Sequence, residues 1–268
     1  MNSPCLSRNG AAALTFVNGP RAPPASLPAV PSHLPFESPP AKPLPLDPRA
    51  LCSLDTLSAR DVEALLQAAR RIQRAARVGA PPRSLHGRNI ARLGRADGAD
   101  DGAFDRAASE LGAQVTHVGA HGPGLASSAG LQRTARMLGR LYDAIDCAGL
   151  PQPHFEGLVR EAGVPVFNGL ASRNHPLRML AVVVELQALA GHDPRGLRVA
   201  LCADPASPLC LALQRLAALA GVDLCRELGG AEFVIEADGR VRRRDGAVSA
   251  GDDAQRYALQ ALLISTIV

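Results

Sequence analysis

Tryptophan is absent from the 268-residue chain, aromatic residues make up only 3%, and Lys42 is the only lysine. Because few aromatic side chains are available, aliphatic residues must supply the core, and an apolar content of 47% is ample for that. The net charge is +4, and arginines, which are spread along the chain beside acidic residues, supply almost all of the positive charge. That balance argues against a nucleic-acid partner and predicts an aliphatic globular protein.

The sequence also lacks long apolar runs and clustered cysteines. No run approaches the roughly 20 residues that a membrane span needs, so we expect no membrane partner. The six cysteines form no CxxC pair and have no histidine at ligand spacing, which predicts free thiols in a reducing, cytoplasmic compartment and no metal site. They are Cys5, Cys52, Cys147, Cys202, Cys210 and Cys225.

Residues 1–48 differ from the rest of the chain. Proline is dense from Pro20 to Pro48, no acid precedes Glu37, and no apolar period is visible. Such a segment cannot bury enough surface to fold, so we expect a disordered, partly polyproline-II extension. An acid-poor N-terminus bearing Arg and Ser also resembles a transit peptide, which leaves a targeting role open.

From Leu51 onward, short apolar runs alternate with helical patterns. This alternation predicts an α/β fold with parallel sheets and right-handed crossovers. A capping arrangement at Ser58–Asp61 opens the first helix. Asp238-Gly239 predicts a two-residue hairpin. The predicted strands are Asn89–Leu93, Gln114–Val118, Ala144–Cys147, Val164–Phe167, Arg198–Ala203 and Val222–Leu224.

The stretch 162–176 combines a strand, a loop and a helix start. Val164–Phe167 is a short apolar run between glycines, typical of a buried strand. Asn174 is predicted as the helix N-cap, with Pro176 in the first turn. His175 would then lie where the carboxyl end of a strand meets a helix, which is where ligands bind in open α/β sheets.

Several strings closely resemble the ornithine carbamoyltransferase family. The resemblance covers about 51–225 and the last helix, and its strings are 85–91, 112–118, 134–143, 163–170 and 175–176. It implies two parallel-sheet α/β domains. The first is expected over 49–175, with a C-terminal helix at 253–268 packing back on it. The second is expected over 176–252 in truncated form.

The resemblance also implies an activity. Family enzymes transfer a carbamoyl group from carbamoyl phosphate to the δ-amine of ornithine, giving citrulline, without metal or organic cofactor. They form trimers with the active site between subunits. A homotrimer that binds carbamoyl phosphate or an amino acid is therefore the expectation.

The phosphate-binding motif departs from the family pattern. Where the family has Ser-x-Arg-Thr-Arg, this chain has Asp97-Gly98-Ala99-Asp100-Asp101, so Ala99 and Asp101 replace both arginines. At an effective dielectric constant near 20, a carboxylate ~4 Å from a phosphate repels it by about 4 kcal/mol. We expect this degenerate loop not to bind carbamoyl phosphate.

Other family positions have changed as well. Ala148 stands in place of a family arginine, and Arg178 in place of the glutamine of His-Pro-x-Gln. His175 is the candidate catalytic residue, either as a ligand contact or in packing. Arg178 is either a replacement cation or a surface residue. Asp204 and Asn168 complete the candidate substrate contacts, although Asn168 could instead bond loop backbone.

Two functions therefore fit the sequence. One is a carbamoyltransferase acting on ornithine. The other is a pseudoenzyme of the same fold, a structural or regulatory protein that assembles with itself or with an active paralogue. A third hypothesis is that acids in a former anion site select a cationic small molecule.

Overall fold

The computed structural model describes residues 57–94, 99–119, 127–172, 175–237, 239–246 and 251–268, without the side chains of 99–101 and 251–252. The expected extension at 1–48 lies outside the described residues, as do Asp97, Gly98, Asn174 and Asp238. Of the expected phosphate loop, only the backbone of Ala99, Asp100 and Asp101 is described.

The first half of the fold is a parallel four-stranded sheet with the order β2-β1-β3-β4. Helices connect the strands, as the alternating pattern predicts. The elements are α1 (Ala59–Arg77), β1 (Asn89–Leu93), α2 (Ala99–Glu110), β2 (Gln114–Val118), α3 (Ser128–Leu141), β3 (Ala144–Cys147), α4 (Gln152–Glu161) and β4 (Val166–Phe167).

The second half is a four-stranded sheet with the order β6-β5-β7-β8. Its first three strands are parallel, and β8 pairs antiparallel with β7. A hairpin therefore forms where it was predicted, but its connection is longer than the predicted two residues, because Ile235 pairs with Val241. The elements are α5 (Arg178–Ala190), β5 (Arg198–Leu201), α6 (Pro208–Ala220), β6 (Asp223–Cys225), β7 (Phe233–Ile235), β8 (Val241–Arg243) and α7 (Gly251–Ile267).

The N-terminus of α1 carries the predicted capping box. The Ser58 hydroxyl accepts a hydrogen bond from the Asp61 N–H at 3.2 Å, and the Asp61 carboxylate accepts one from the Ser58 N–H at 2.9 Å. Each group satisfies an N–H that the first helical turn would otherwise leave unpaired. The predicted apolar stripe of Val62, Leu65, Leu66, Ala69 and Ile72 is buried, as expected.

The start of α5 differs from the prediction. The helix begins at Arg178 and not near Asn174, because residues 175–177 first form a tight turn. In this turn the Arg178 N–H donates to the His175 carbonyl at 2.9 Å, and the Met179 N–H donates to the Pro176 carbonyl at 3.1 Å. Pro176 therefore lies in the turn that precedes the helix.

A second difference concerns the surroundings of α5. Helical spacing predicts one apolar stripe, yet every residue from Met179 to Gln187 is buried. The reason is that α5 contacts α1, α6 and α7 at once. A helix covered on several sides needs apolar residues nearly all round, and seven of these nine residues are apolar, whereas Glu185 and Gln187 are buried polar residues.

Helix α7 packs against α5, α1 and α2. Tyr257, Leu259, Leu262 and Leu263 are buried in these contacts. One hydrophobic core consequently runs from Phe104 in the first half to Phe233 in the second, through α5 and α7.

Candidate functional site

The carboxyl ends of β1, β3 and β4 meet at one edge of the first sheet. Gly94, Ala148 and Asn168 follow these three strands directly. Gly94 has a φ of 127°, and a Cβ added there would lie 2.4 Å from the Ala148 carbonyl oxygen. The backbone is therefore close-packed between the ends of β1 and β3. None of the three residues supplies a cation for a phosphate.

Beneath this edge lies an ion pair that the sequence analysis did not predict. Arg92 on β1 and Asp146 on β3 are register partners, and Arg92 Nε lies 3.3 Å from Asp146 Oδ2. Asp146 is fully buried, and this burial raises the pKa of its carboxyl, while Arg92 acts in the opposite direction. Its other oxygen accepts the Gly169 N–H at 2.9 Å and the Leu170 N–H at 3.2 Å.

The ion pair continues toward the surface through α2. Arg92 Nη1 lies 3.2 Å from Asp105 Oδ1, and Asp105 Oδ2 lies 2.8 Å from His117 Nε2. The Arg92 guanidinium also stacks 4.9 Å from the centre of the Phe104 ring. This chain of polar contacts connects α2 and β2 to the loop after β4. The only signal in the sequence was one charged residue inside each of two apolar strands.

His175 lies at the far end of that loop and is buried, with 7% of its surface exposed. Its Nδ1 accepts a hydrogen bond from the Leu177 N–H at 3.2 Å, so Nδ1 carries no proton. Burial lowers the pKa of the His175 imidazole to about 4. The ring is therefore neutral at pH 7 with its proton on Nε2, and it can donate a hydrogen bond but supplies no positive charge.

Arg178, Asp204 and Asn168 occupy three different environments. Arg178 lines a cleft of about 350 Å³ at the carboxyl edge of the second sheet. Asp204 is exposed, and its Oδ1 accepts the Ala206 N–H at 3.0 Å, which closes the turn before α6. Asn168 is half-buried after β4. Asp204 and Asn168 are not among the residues that line this cleft.

The described residues contain neither a candidate metal site nor a candidate membrane span. In that part of the chain, no group of three or more His, Cys, Asp or Glu residues is arranged to hold a metal ion. No helix among the described segments has the length and apolarity needed to span a membrane. The four cysteines among the described residues form no disulfide; they are Cys147, Cys202, Cys210 and Cys225.

Residues 49–188 match the family model described as "Aspartate/ornithine carbamoyltransferase, carbamoyl-P binding domain". The ornithine carbamoyltransferase of Borreliella burgdorferi is 29% identical over 204 residues, which are 76% of this chain and 62% of that protein. The catabolic ornithine carbamoyltransferase of Pseudomonas putida is 33% identical over 177 residues, which are 66% of this chain and 53% of that protein. The chain thus spans a little over half the length of these relatives.

Solved structures agree with this assignment. The ornithine carbamoyltransferase of Pyrococcus furiosus has a TM-score of 0.55 at 26% identity, over 65% of this chain and 55% of that one. The enzyme of the same name from Gloeobacter violaceus has a TM-score of 0.58 at 20% identity, over 81% of this chain and 98% of that one. The second likeness is one of fold alone.

Proposed function

The chain belongs to the aspartate/ornithine carbamoyltransferase family, and on this premise we propose that it is a non-catalytic member. It keeps the parallel-sheet scaffold and has lost the chemistry that holds carbamoyl phosphate. The observation that carries the proposal is the stretch 97–101, which aligns with the phosphate-binding motif of the family and contains Asp97, Asp100 and Asp101 but neither of the two family arginines.

The placement of α2 supports this proposal. The helix begins at Ala99, so Asp100 and Asp101 belong to its first turn. Carboxylates in a first turn complement the positive end of the helix dipole, which is the feature that would otherwise attract a phosphate. A free anion would meet repulsion there, and after β3 Ala148 offers no guanidinium to offset it.

One feature favours the competing hypothesis of an active transferase. His175 is neutral and carries its proton on Nε2, which suits hydrogen bonding to a carbonyl oxygen. In that case Arg178 or a neighbouring subunit would have to replace the missing cations. The same experiment decides between the two hypotheses.

The test is calorimetric titration with carbamoyl phosphate, together with a citrulline assay in the presence of ornithine. We expect no heat of binding and no citrulline. Micromolar binding, or citrulline that depends on both substrates, would overturn the proposal.

A gain-of-binding variant tests the physical cause. Ala99→Arg with Asp101→Arg restores both cations and should produce measurable binding of carbamoyl phosphate. The control is Ala80→Arg with Glu156→Arg, which makes the same change in net charge at two exposed positions. Equal binding by both double variants would show that overall charge, and not this loop, controls the affinity.

We further propose that the protein assembles as a homotrimer or with an active paralogue. Met137 and Leu141, one turn apart on α3, are 51% and 61% exposed and offer an apolar contact. Light scattering after size exclusion should give about three times 27.9 kDa for the protein alone, or, after mixing with a paralogue, a mass that includes subunits of both proteins. A monomer under both conditions would contradict this part of the proposal.

A further inference from the structure

One side of helix α1 carries three arginines without ion-pair partners. From residue 97 onward acids are interspersed with the arginines, but residues 64–96 contain eight arginines and no Asp or Glu. Three of the eight, Arg71, Arg74 and Arg77, follow one another at intervals of three residues in the C-terminal half of α1. Side chains spaced in this way lie within about 120° around the helix axis and roughly 4.5 Å apart along it. We call these three residues the arginine face.

All three residues of the arginine face are exposed. Within the part of the chain that the structure describes, their side chains form no ion pair and no hydrogen bond. The two acids of α1 are engaged elsewhere, since Asp61 bonds Ser58 in the capping box and Glu63 Oε2 lies 3.8 Å from Arg195 Nη2. Glu63 also lies two helical turns before Arg71, roughly 12 Å along the axis. The arginine face therefore presents three positive charges to solvent.

The helix dipole accounts for only part of the arginine face. Basic side chains in the last turn complement the negative end of the dipole, and Arg74 and Arg77 occupy that turn, whereas Arg71 precedes it. The adjacent Arg70 has a structural role, because its Nη2 donates to the Gly191 carbonyl oxygen at 2.9 Å. Like charges three or four residues apart on a helix repel each other, and an anionic partner would remove that repulsion.

The surroundings of the arginine face indicate which class of anion it suits. Single-stranded nucleic acids bind by stacking their bases on aromatic side chains, yet no aromatic residue occurs between Phe36 and Phe104, and Phe104 is buried. An amphipathic helix binds a membrane through its apolar side, yet the apolar side of α1 is buried in the protein core. Both observations favour an acidic polypeptide.

We propose that the arginine face binds an acidic helical segment of a partner protein. Clusters of arginine are a recurrent means of recognising acidic motifs. Carboxylates three or four residues apart on one side of the partner helix match the spacing of the three guanidinium groups, and each guanidinium can pair with a carboxylate through two parallel hydrogen bonds. The inference goes beyond the proposed function and does not depend on it, because the arginine face lies outside the stretch 97–101.

The experiment is fluorescence anisotropy titration of labelled synthetic peptides with the full chain. The probe is an alanine-based peptide of about 20 residues, long enough to form a helix, with glutamates along one side. One control peptide has the same number of glutamates distributed on all sides, and another has glutamine in place of every glutamate. We expect the one-sided peptide to bind most tightly and the glutamine peptide not to bind. Affinity should fall as the NaCl concentration rises from about 50 mM to about 500 mM, because salt screens exposed charges.

Two triple variants test the location of the binding surface. Replacement of all three residues of the arginine face by glutamine should weaken binding of the one-sided peptide by about tenfold or more, because each exposed ion pair contributes up to about fivefold in affinity. The control replaces three exposed arginines on other elements, Arg106, Arg133 and Arg226, by glutamine. It makes the same change in net charge and should leave the affinity within about twofold of the wild type. Circular dichroism and thermal melts confirm that both variants fold.

Several results would overturn this inference. They are absence of binding by the one-sided peptide, equal binding by the peptide with glutamates on all sides, and equal loss of affinity in the two triple variants. Tighter binding of a single-stranded RNA oligonucleotide, or of vesicles that contain anionic phospholipid, would also overturn it, because the partner would belong to another class. The carbamoyl phosphate titration tests the proposed function separately, since no result with these peptides bears on the stretch 97–101.

Discussion

At the scale of single residues, Asp146 holds together more of the site than any residue the sequence analysis selected. One oxygen pairs with Arg92, and the other accepts two N–H groups from the loop that leads to His175. A buried ion pair adds little net stability by itself, yet removal of one partner leaves a buried charge without compensation. Asp146 therefore holds the loop in place, and we expect its replacement to destabilise the fold.

We predict that Asp146→Asn lowers the free energy of unfolding by roughly 3 kcal/mol, because the buried Arg92 guanidinium then loses its buried carboxylate partner on β3. Denaturant titration measures this loss. Asp143→Asn is the control, since its pair with Arg88 is at the surface and should cost about 1 kcal/mol. Equal losses in the two variants would contradict the special role of the buried pair.

A further prediction concerns His175. Burial lowers its pKa from 6.5 to about 4 in the folded protein, whereas the unfolded chain keeps the ordinary value. Between these two values the unfolded state binds more protons, so stability falls as the pH decreases from 6.5 to 4. The loss at the end of this window is roughly 3 kcal/mol.

Urea titrations across this pH range should show that loss in the wild type and a smaller pH dependence in His175→Asn. An identical slope in the two proteins would show that His175 does not stay neutral on folding. Above pH 6.5 both states carry a neutral ring, so this histidine should contribute no pH dependence there.

At the scale of elements, the contact between α3 and α4 depends on a residue without a side chain. A Cβ added to Gly139 in α3 would lie 1.7 Å from the carbonyl oxygen of Ala162, which follows α4. The nearest atoms of Ala162 are all backbone atoms, so no flexible side chain could move aside to make room for the Cβ. The close approach of the two helices thus requires glycine at this position.

We predict that Gly139→Ala destabilises the fold by about 1–3 kcal/mol, because the helices must separate. Gly102→Ala in α2 is the matched control, since a Cβ there meets nothing within 4 Å. It should be neutral or stabilising by up to ~1 kcal/mol, because alanine favours a helix over glycine. Thermal melts of both variants measure the difference, and a stabilised Gly139→Ala would refute the steric argument.

At the scale of the whole molecule, the two sheets share their core. The same apolar cluster contains residues of both sheets and of helices α5 and α7. We predict one cooperative unfolding transition over the described residues, with equal calorimetric and van't Hoff enthalpies. Leu262→Ala in α7 should lower the free energy of unfolding by about 2–5 kcal/mol and shift the whole transition to a lower temperature. Two separate transitions would show that the halves fold independently.

Much of the fold could be predicted from the sequence because its signals are local. The capping box at Ser58, the hairpin around Gly239 and the alternation of strands and helices each depend on residues close together in the chain. The substitutions at Ala99 and Asp101 are also visible in the sequence alone. These features determined the fold class and the proposal that the family reaction is lost.

The tertiary structure decided what depends on distant residues. Arg92 and Asp146 are 54 positions apart, and only the order of β1 and β3 in the sheet makes them partners. Arg178, Leu201 and Ile235 line one cleft because α5 begins at the edge of the sheet where β5 and β7 end. Local sequence patterns determine which helix or strand forms. Sheet order and helix packing determine which side chains come into contact, and the site is built from contacts between residues that are far apart in the sequence.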